Sequence, residues 1–165
     1  MVESLPEFSK SMTLQEYQLW LKVEHKKFIN DELYKNYDIS TRFAKQQFEN
    51  SKTWHDLINL LNNAEFEYSK EKHYDLISRN AEYFSNNKPI IFIKPFDSVV
   101  NKTYRKNVLE NENWNQSPTD GWVFPEDWFN KINDILRTLI VVKYADGVVY
   151  LVNKLKEYCL CNKIH

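Results

Sequence analysis

Apolar side chains in the first half of the chain recur every three or four positions, which is the spacing of an amphipathic helix. Thr13 and Glu16 stand three residues apart just before the first such stretch, the spacing of a helix-starting capping box. Pro89 closes the last stretch, because a proline disfavours helical geometry at the residue before it. The pattern predicts four helices, near residues 13–28, 39–48, 53–61 and 64–86.

The second half changes to short continuous apolar runs, which are typical of buried strands. Residues 90–93 form one run, and residues 136–142 form the strongest one, which predicts a central strand. Between the two runs, a helix is predicted over residues 98–109 with Asp97 as its N-cap. The other predicted elements are a polar loop at 110–121, a short strand at 122–124, a helix after Pro125, a turn at 145–147 and a final amphipathic helix.

This order of elements indicates an α/β or α+β fold. We expect an N-terminal helical bundle over residues 1–87 and, over residues 88–165, a mixed sheet flanked by helices. The two regions are expected to form one compact unit, since 165 residues suit a single domain with a real core.

Composition limits the classes of function. No apolar stretch approaches the roughly 20 residues that cross a bilayer, and the N-terminal decapeptide MVESLPEFSK lacks the basic and apolar regions of a secretion signal. We therefore expect a cytoplasmic protein without a membrane partner. The net charge of −1 argues against a surface coated by nucleic acid. Only two glycines occur, so the glycine-rich phosphate loops are missing and any phosphate must be bound by side chains.

A first group of candidate residues lies where the run at 90–93 meets the predicted helix. Lys94 precedes the helix, and Ser98, Lys102 and Arg105 follow at helical spacing, so the last three share one helix face. Cations beside a helix N-terminus, with its free N–H groups, suit a polyphosphate. The alternative is a solvated helix face, which is where lysine and arginine usually lie.

A second group lies at the predicted central strand. Asp134 precedes the strand, where a carboxylate is well placed to hold Mg²⁺. Arg137 lies within the apolar run and would need a partner there, because a buried unpaired charge is costly. The alternative is that Asp134 or another carboxylate pairs with Arg137 in a purely structural role.

The two groups together resemble the RelA/SpoT synthetase family. Lys94, Ser98 and Lys102 match the family signature of a lysine, a serine four positions later and a lysine four positions after that, with Arg105 following. About thirty residues later, the segment DILRTLIVV resembles the Asp-bearing strand of the family, and GWVFPEDWFNKINDILRT is similar to the toxin-type small alarmone synthetases. The resemblance covers about residues 88–158, and the N-terminal helices match only in kind.

The resemblance implies a nucleotidyltransferase-like fold and a pyrophosphokinase, which moves the β,γ-pyrophosphate of ATP onto a hydroxyl of a nucleotide or of a tRNA 3′ end. Lys94, Ser98, Lys102 and Arg105 would then contact the ATP phosphates. Asp134 would be catalytic and hold Mg²⁺, with Arg137 in support. Such an enzyme would act in guanosine tetraphosphate metabolism, the stringent response or a toxin–antitoxin pair, with an antitoxin or a second copy as a possible partner.

The chain departs from the family at two places. Phe92 stands two residues before Lys94, where the family has an arginine that packs on the adenine. Downstream of Asp134 the sequence contains neither the Tyr-bearing loop nor the Glu-bearing strand of the acceptor half. We therefore expect a donor half, from a fragment, a truncated gene or a decayed relative. The alternatives are a non-catalytic synthetase-fold interaction module and a plain helical-plus-sheet domain with solvated cations.

Overall fold

A computed structural model describes residues 8–114 and 116–162. It contains helices and short strands, which bears out the α+β class. The helices are α1 (Leu14–His25), α2 (Asp31–Glu49), α3 (Lys52–Lys72), α4 (Phe96–Tyr104), α5 (Trp128–Lys131) and α6 (Ala145–Asn162). The strands are β1 (Ile77–Ser78), β2 (Phe84–Ser85), β3 (Lys88–Pro89), β4 (Ile91–Ile93), β5 (Leu136–Thr138) and β6 (Val141–Val142).

The described strands form three separate two-stranded sheets rather than the single flanked sheet that the sequence pattern predicts. These sheets pair β1 with β6, β2 with β3, and β4 with β5. The first two are antiparallel. None of the helices in the described part of the chain is long and apolar enough to cross a membrane.

The capping box at the start of α1 is confirmed. The Thr13 hydroxyl accepts a hydrogen bond from the Glu16 backbone N–H at 3.3 Å, and the Thr13 N–H donates to the Glu16 carboxylate at 2.6 Å. These two bonds satisfy N–H groups that a helix start otherwise leaves without partners. The helix ends at Lys26, which adopts a left-handed conformation with φ of 56°.

The predicted helix over 64–86 is wrong beyond residue 72. His73 ends α3 in a left-handed conformation with φ of 65°, and the chain then enters β1 and β2. Asn86 and Asn87 connect β2 to β3 with φ of 49° and 61°. Two successive positive φ values suit the tight turns of two-residue hairpins, and asparagine tolerates them better than most residues. The left-handed conformations of His73, Asn86 and Asn87 therefore decide the structure here, although the apolar spacing predicts a continuous helix.

The predicted central strand over 136–142 is also wrong. It divides into β5 and β6, which pair in different sheets, and neither strand has a fully buried residue. The predicted turn at 145–147 is instead the first turn of α6. Residues 122–124 lie in no strand. The predicted helix over 98–109 is present, although it starts two residues earlier and Pro95, not Asp97, is its N-cap.

The chain divides into two compact units, which differ from the boundary expected after residue 87. Unit 1 comprises Met1–Arg42 and Ile93–Ile135, and unit 2 comprises Phe43–Phe92 and Leu136–His165. The core of unit 2 is built from α3, α6 and the β1 and β2 strands, with Leu61, Tyr68, Leu76 and Leu151 among its buried members. Of the candidate site residues, Arg137 belongs to unit 2, and the others belong to unit 1: Lys94, Ser98, Lys102, Arg105 and Asp134.

The core of unit 1 fixes one face of α4. Phe96, Val99 and Val100 are buried in one apolar cluster with α2 and α5. Beside it, Asn107 is fully buried and satisfied: its amide donates to the Tyr17 hydroxyl at 2.8 Å and the Val123 carbonyl at 2.7 Å. The side-chain amide oxygen of Asn107 accepts a hydrogen bond from the Val123 N–H at 2.9 Å. Because this face is buried, the opposite face of α4 is left for Ser98 and Lys102.

Candidate functional site

Lys94 lies at the junction between β4 and α4, and its backbone is held on both sides. Its N–H donates to the Ile135 carbonyl at 2.8 Å, and its carbonyl accepts a hydrogen bond from the Tyr37 hydroxyl. Pro95 follows and caps α4, so the chain turns directly from strand to helix. This geometry directs the start of α4 and the Lys94 side chain into the same region of unit 1.

The matched residues of α4 line one cavity. Helical spacing puts Ser98, Lys102 and Arg105 on one face, as the sequence predicts. A surface cavity of about 270 Å³ is bounded by these residues and by three others: Lys94, Asn101 and Asp134. Its wall therefore carries three cations and one carboxylate, together with a hydroxyl and an amide. Such a wall suits a ligand with several anionic oxygens.

Asp134 forms ion pairs with two lysines. The Lys94 ammonium lies 2.8 Å from Oδ2 and the Lys102 ammonium 2.6 Å from Oδ1. The hydrogen bond from Lys102 and then that from Lys94 hold the pKa of Asp134 well below its usual range, against a smaller opposing effect of burial. The Lys94 side chain is only 11 % exposed, whereas that of Asp134 is 45 % exposed. The carboxylate thus holds both ammonium groups at the wall of the cavity.

Arg105 begins a π-helical turn, Arg105–Leu109, that continues α4. Its carbonyl accepts from the Glu110 N–H at 2.8 Å, and its guanidinium lies 2.7 Å from the Glu110 carboxylate. Both side chains are more than half exposed, and exposed ion pairs contribute little to stability. Since breaking this pair costs little, the Arg105 guanidinium can turn to an anion in the cavity.

Arg137 is not buried in a central strand, as the sequence pattern predicts. It is exposed on β5, in unit 2, so its charge needs no buried partner. The alternative of an Asp134–Arg137 ion pair is replaced by the pairs that Asp134 makes with Lys94 and Lys102. The other five matched residues, Lys94, Ser98, Lys102, Arg105 and Asp134, line one cavity.

Three further residues belong to this region. Asn101 lines the cavity one helical turn after Ser98, and its spacing from Ser98 could have identified it. Glu110 pairs with Arg105 five residues away, a spacing that a regular helix would not bring together. Tyr37 touches the Lys94 carbonyl across 57 residues of sequence, for which no local pattern gives a signal.

The site fits a metal ion only in part. The described residues contain no group of three or more histidine, cysteine or acidic side chains that could hold an ion by themselves. Mg²⁺ in nucleotide sites is bound by one or two carboxylates together with substrate phosphates and water. Asp134 therefore fits a Mg²⁺ that arrives with a polyphosphate, provided that one of the lysines moves from the carboxylate to the phosphates.

No protein family, curated protein or solved structure matches this chain in the comparisons.

Proposed function

We propose that unit 1 binds the polyphosphate of a Mg²⁺–nucleoside triphosphate, and that the protein is a RelA/SpoT-like pyrophosphokinase acting on ATP, in which the family's acceptor half is not recognisable from the sequence. The observation that carries the proposal is that Lys94 and Lys102 form ion pairs with the two carboxylate oxygens of Asp134. Two ammonium groups already converge on one pair of anionic oxygens there. A phosphate chain presents the same oxygen pattern with more negative charge.

Each residue of the cavity has a role in this proposal. Lys94 and Lys102 transfer their hydrogen bonds from Asp134 to phosphate oxygens, and Arg105 leaves Glu110 to join them. Ser98 donates its hydroxyl to the same phosphates. Asp134, freed from the lysines, would hold a Mg²⁺ ion, which would neutralise charge on the phosphates.

The reaction that the family resemblance implies is a diphosphoryl transfer. An acceptor hydroxyl oxygen forms a bond to the β-phosphorus of ATP and loses its proton to water, while the bond from that phosphorus to the α,β-bridging oxygen breaks and AMP leaves. The residues of unit 1 position the ATP and neutralise its charge, which is how proteins mainly accelerate phosphoryl-type transfer. The acceptor is a nucleotide or a tRNA 3′ end.

Product analysis tests the reaction. ATP and Mg²⁺ are incubated with the protein and one acceptor at a time, either GDP, GTP, ATP or tRNA, and the adenine nucleotides are separated. Diphosphoryl transfer gives AMP and a diphosphorylated acceptor in equal amounts, whereas a phosphatase or a kinase gives ADP. We expect AMP from the unmodified protein and from Lys143→Gln, and a large loss of AMP from Lys102→Gln.

Lys143 is the matched control. Its ammonium lies 2.6 Å from the Asp75 carboxylate in unit 2, so Lys143→Gln breaks a lysine–aspartate pair of the same length outside the cavity. Formation of ADP, or equal AMP formation by Lys102→Gln and the unmodified protein, contradicts the proposed reaction. Retained ATP binding without any product favours instead the second candidate, a non-catalytic synthetase-fold module that binds a partner.

A further inference from the structure

We infer that Tyr37 is a positioning residue, which holds Lys94 in place for the phosphate chain through a hydrogen bond to the Lys94 backbone. The inference rests on the proposed function, and it adds a residue from α2 that the family signature does not contain. Its basis is a chain of hydrogen bonds that joins three separate parts of unit 1.

The Lys94 backbone has few anchors. It is the first residue after β4, and the next residue, Pro95, has no N–H to donate. The Lys94 N–H donates to the Ile135 carbonyl at 2.8 Å, and the Lys94 carbonyl accepts from the Tyr37 hydroxyl. If the second bond is lost, this partly buried carbonyl has to bind water or rotate, since an acceptor that is shielded from water and has no partner is costly.

Tyr37 is itself firmly placed. It is 3 % exposed, and its ring packs against Phe96 at 5.2 Å and edge-on against Trp128 at 5.0 Å between centroids. Burial, and then the negative charge of Asp134, raises the pKa of the Tyr37 hydroxyl to about 12. The hydroxyl therefore remains a proton donor over the whole pH range in which the protein would work.

The same chain reaches Asp134. Ile135, whose carbonyl accepts a hydrogen bond from the Lys94 N–H, directly follows Asp134. This backbone hydrogen bond therefore fixes the distance between the backbones of Lys94 and Asp134, whose side chains form the ion pair. Tyr37 fixes the other side of the Lys94 peptide. The position of the Lys94 ammonium is thus determined by α2 and by the segment before β5, rather than by its own flexible side chain alone.

The test is the affinity for inorganic tripolyphosphate with Mg²⁺, measured by calorimetry on folded protein. Tyr37→Phe removes only the hydroxyl and keeps the packed ring, and we expect affinity to fall roughly three- to tenfold, the usual worth of one hydrogen bond. Tyr104→Phe is the matched control, because the Tyr104 hydroxyl also donates to a backbone carbonyl, that of Met12, within unit 1. We expect it to lower the thermal stability but leave the affinity unchanged.

A third variant separates positioning from general loosening. In a Lys94→Met background, Tyr37→Phe should cause no further loss of affinity, although it should still lower the melting temperature. If the unmodified protein binds but Tyr37→Phe binds equally well, or Tyr104→Phe loses as much, the positioning role is wrong and the proposed function stands. If the folded unmodified protein does not bind tripolyphosphate, the proposed function is wrong and the inference falls with it.

Discussion

Lys102 and Asp134 are 32 residues apart in the sequence, yet the Lys102 ammonium lies 2.6 Å from the Asp134 carboxylate. The other oxygen of that carboxylate lies 2.8 Å from the Lys94 ammonium. The carboxylate therefore competes with any anion for the two cations that would bind it. This competition makes the Asp134 charge the quantity that most sharply distinguishes a phosphate site from a structural ion-pair cluster.

The first prediction concerns Asp134→Asn in the absence of Mg²⁺. The variant frees both lysines and removes a negative charge from the cavity wall, so tripolyphosphate in EDTA should bind about threefold to tenfold more tightly than to the unmodified protein. The gain in affinity on adding Mg²⁺ should be lost in the same variant, since its Mg²⁺-binding carboxylate is gone. Calorimetric titration with and without Mg²⁺ measures both effects.

Asp75→Asn is the control for this experiment, because it removes a lysine-paired carboxylate from unit 2. It should leave both affinities unchanged. Weaker binding of tripolyphosphate by Asp134→Asn in EDTA would mean that the lysines need the carboxylate to remain in place, which contradicts the competition described above.

The second prediction concerns how Asp134 titrates and how its contribution to stability changes at acidic pH. The lysines hold the pKa of Asp134 below its usual range, so the ionised carboxylate adds stability above its unfolded pKa of about 3.9. This contribution is lost as the pH falls from there through the lower folded pKa. In a carbon-13 NMR titration of the side-chain carboxyl groups, Asp134 should titrate well below pH 3.9, and its midpoint should rise in Lys102→Gln. An unchanged midpoint would show that Lys102 does not hold the carboxylate in solution.

The third prediction concerns the support of α4. Asn107→Ala leaves the N–H and carbonyl of Val123 without their buried partner, and the Tyr17 hydroxyl keeps only its hydrogen bond to Thr103. The free energy of unfolding should fall by about 2–3 kcal/mol in urea denaturation. Asn101→Ala, on the exposed face of the same helix, should change it by less than about 0.5 kcal/mol. Equal effects would mean that the buried polar network does not stabilise unit 1.

The fourth prediction concerns the start of α6 in unit 2. A Cβ atom added at Gly147 would lie 2.6 Å from Leu76 Cδ1 and 2.7 Å from Val142 Cγ1, both closer than packed atoms allow. Gly147→Ala should therefore destabilise the protein by about 1–2 kcal/mol, after the better helix propensity of alanine has offset part of the strain. Val148→Ala, at the exposed next position, should have little effect on the urea midpoint. A stabilised Gly147→Ala variant would contradict this packing.

Local signals explain what could be predicted from the sequence. The capping box at Thr13 and the strand-to-helix change after Ile93 depend on residues close to one another, and both are present. The spacing of Ser98 and Lys102 put them on one helix face for the same reason. The failures arose where a short apolar run fits several structures: residues 136–142 fit a single buried strand equally well, although they divide into two half-exposed ones.

Long-range contacts explain what could not be predicted. Tyr37 lies between the predicted helices 13–28 and 39–48, and its hydrogen bond to Lys94 is visible only in the folded chain. His73 ends α3 without a glycine, so the usual signal of a helix end was missing. The pairing of Asp134 with lysines rather than with Arg137 follows from the position of α4, which no spacing within the segment 134–142 reveals.

The most direct test of the account is a calorimetric titration of ATP with Mg²⁺ into the unmodified protein, Lys102→Gln and Lys143→Gln. We predict saturable binding to the unmodified protein, the same affinity for Lys143→Gln, and at least about tenfold weaker binding for Lys102→Gln, because a charge-assisted hydrogen bond to phosphate is lost. Absence of saturable binding to the folded unmodified protein, or equal affinity in all three proteins, would contradict the phosphate site.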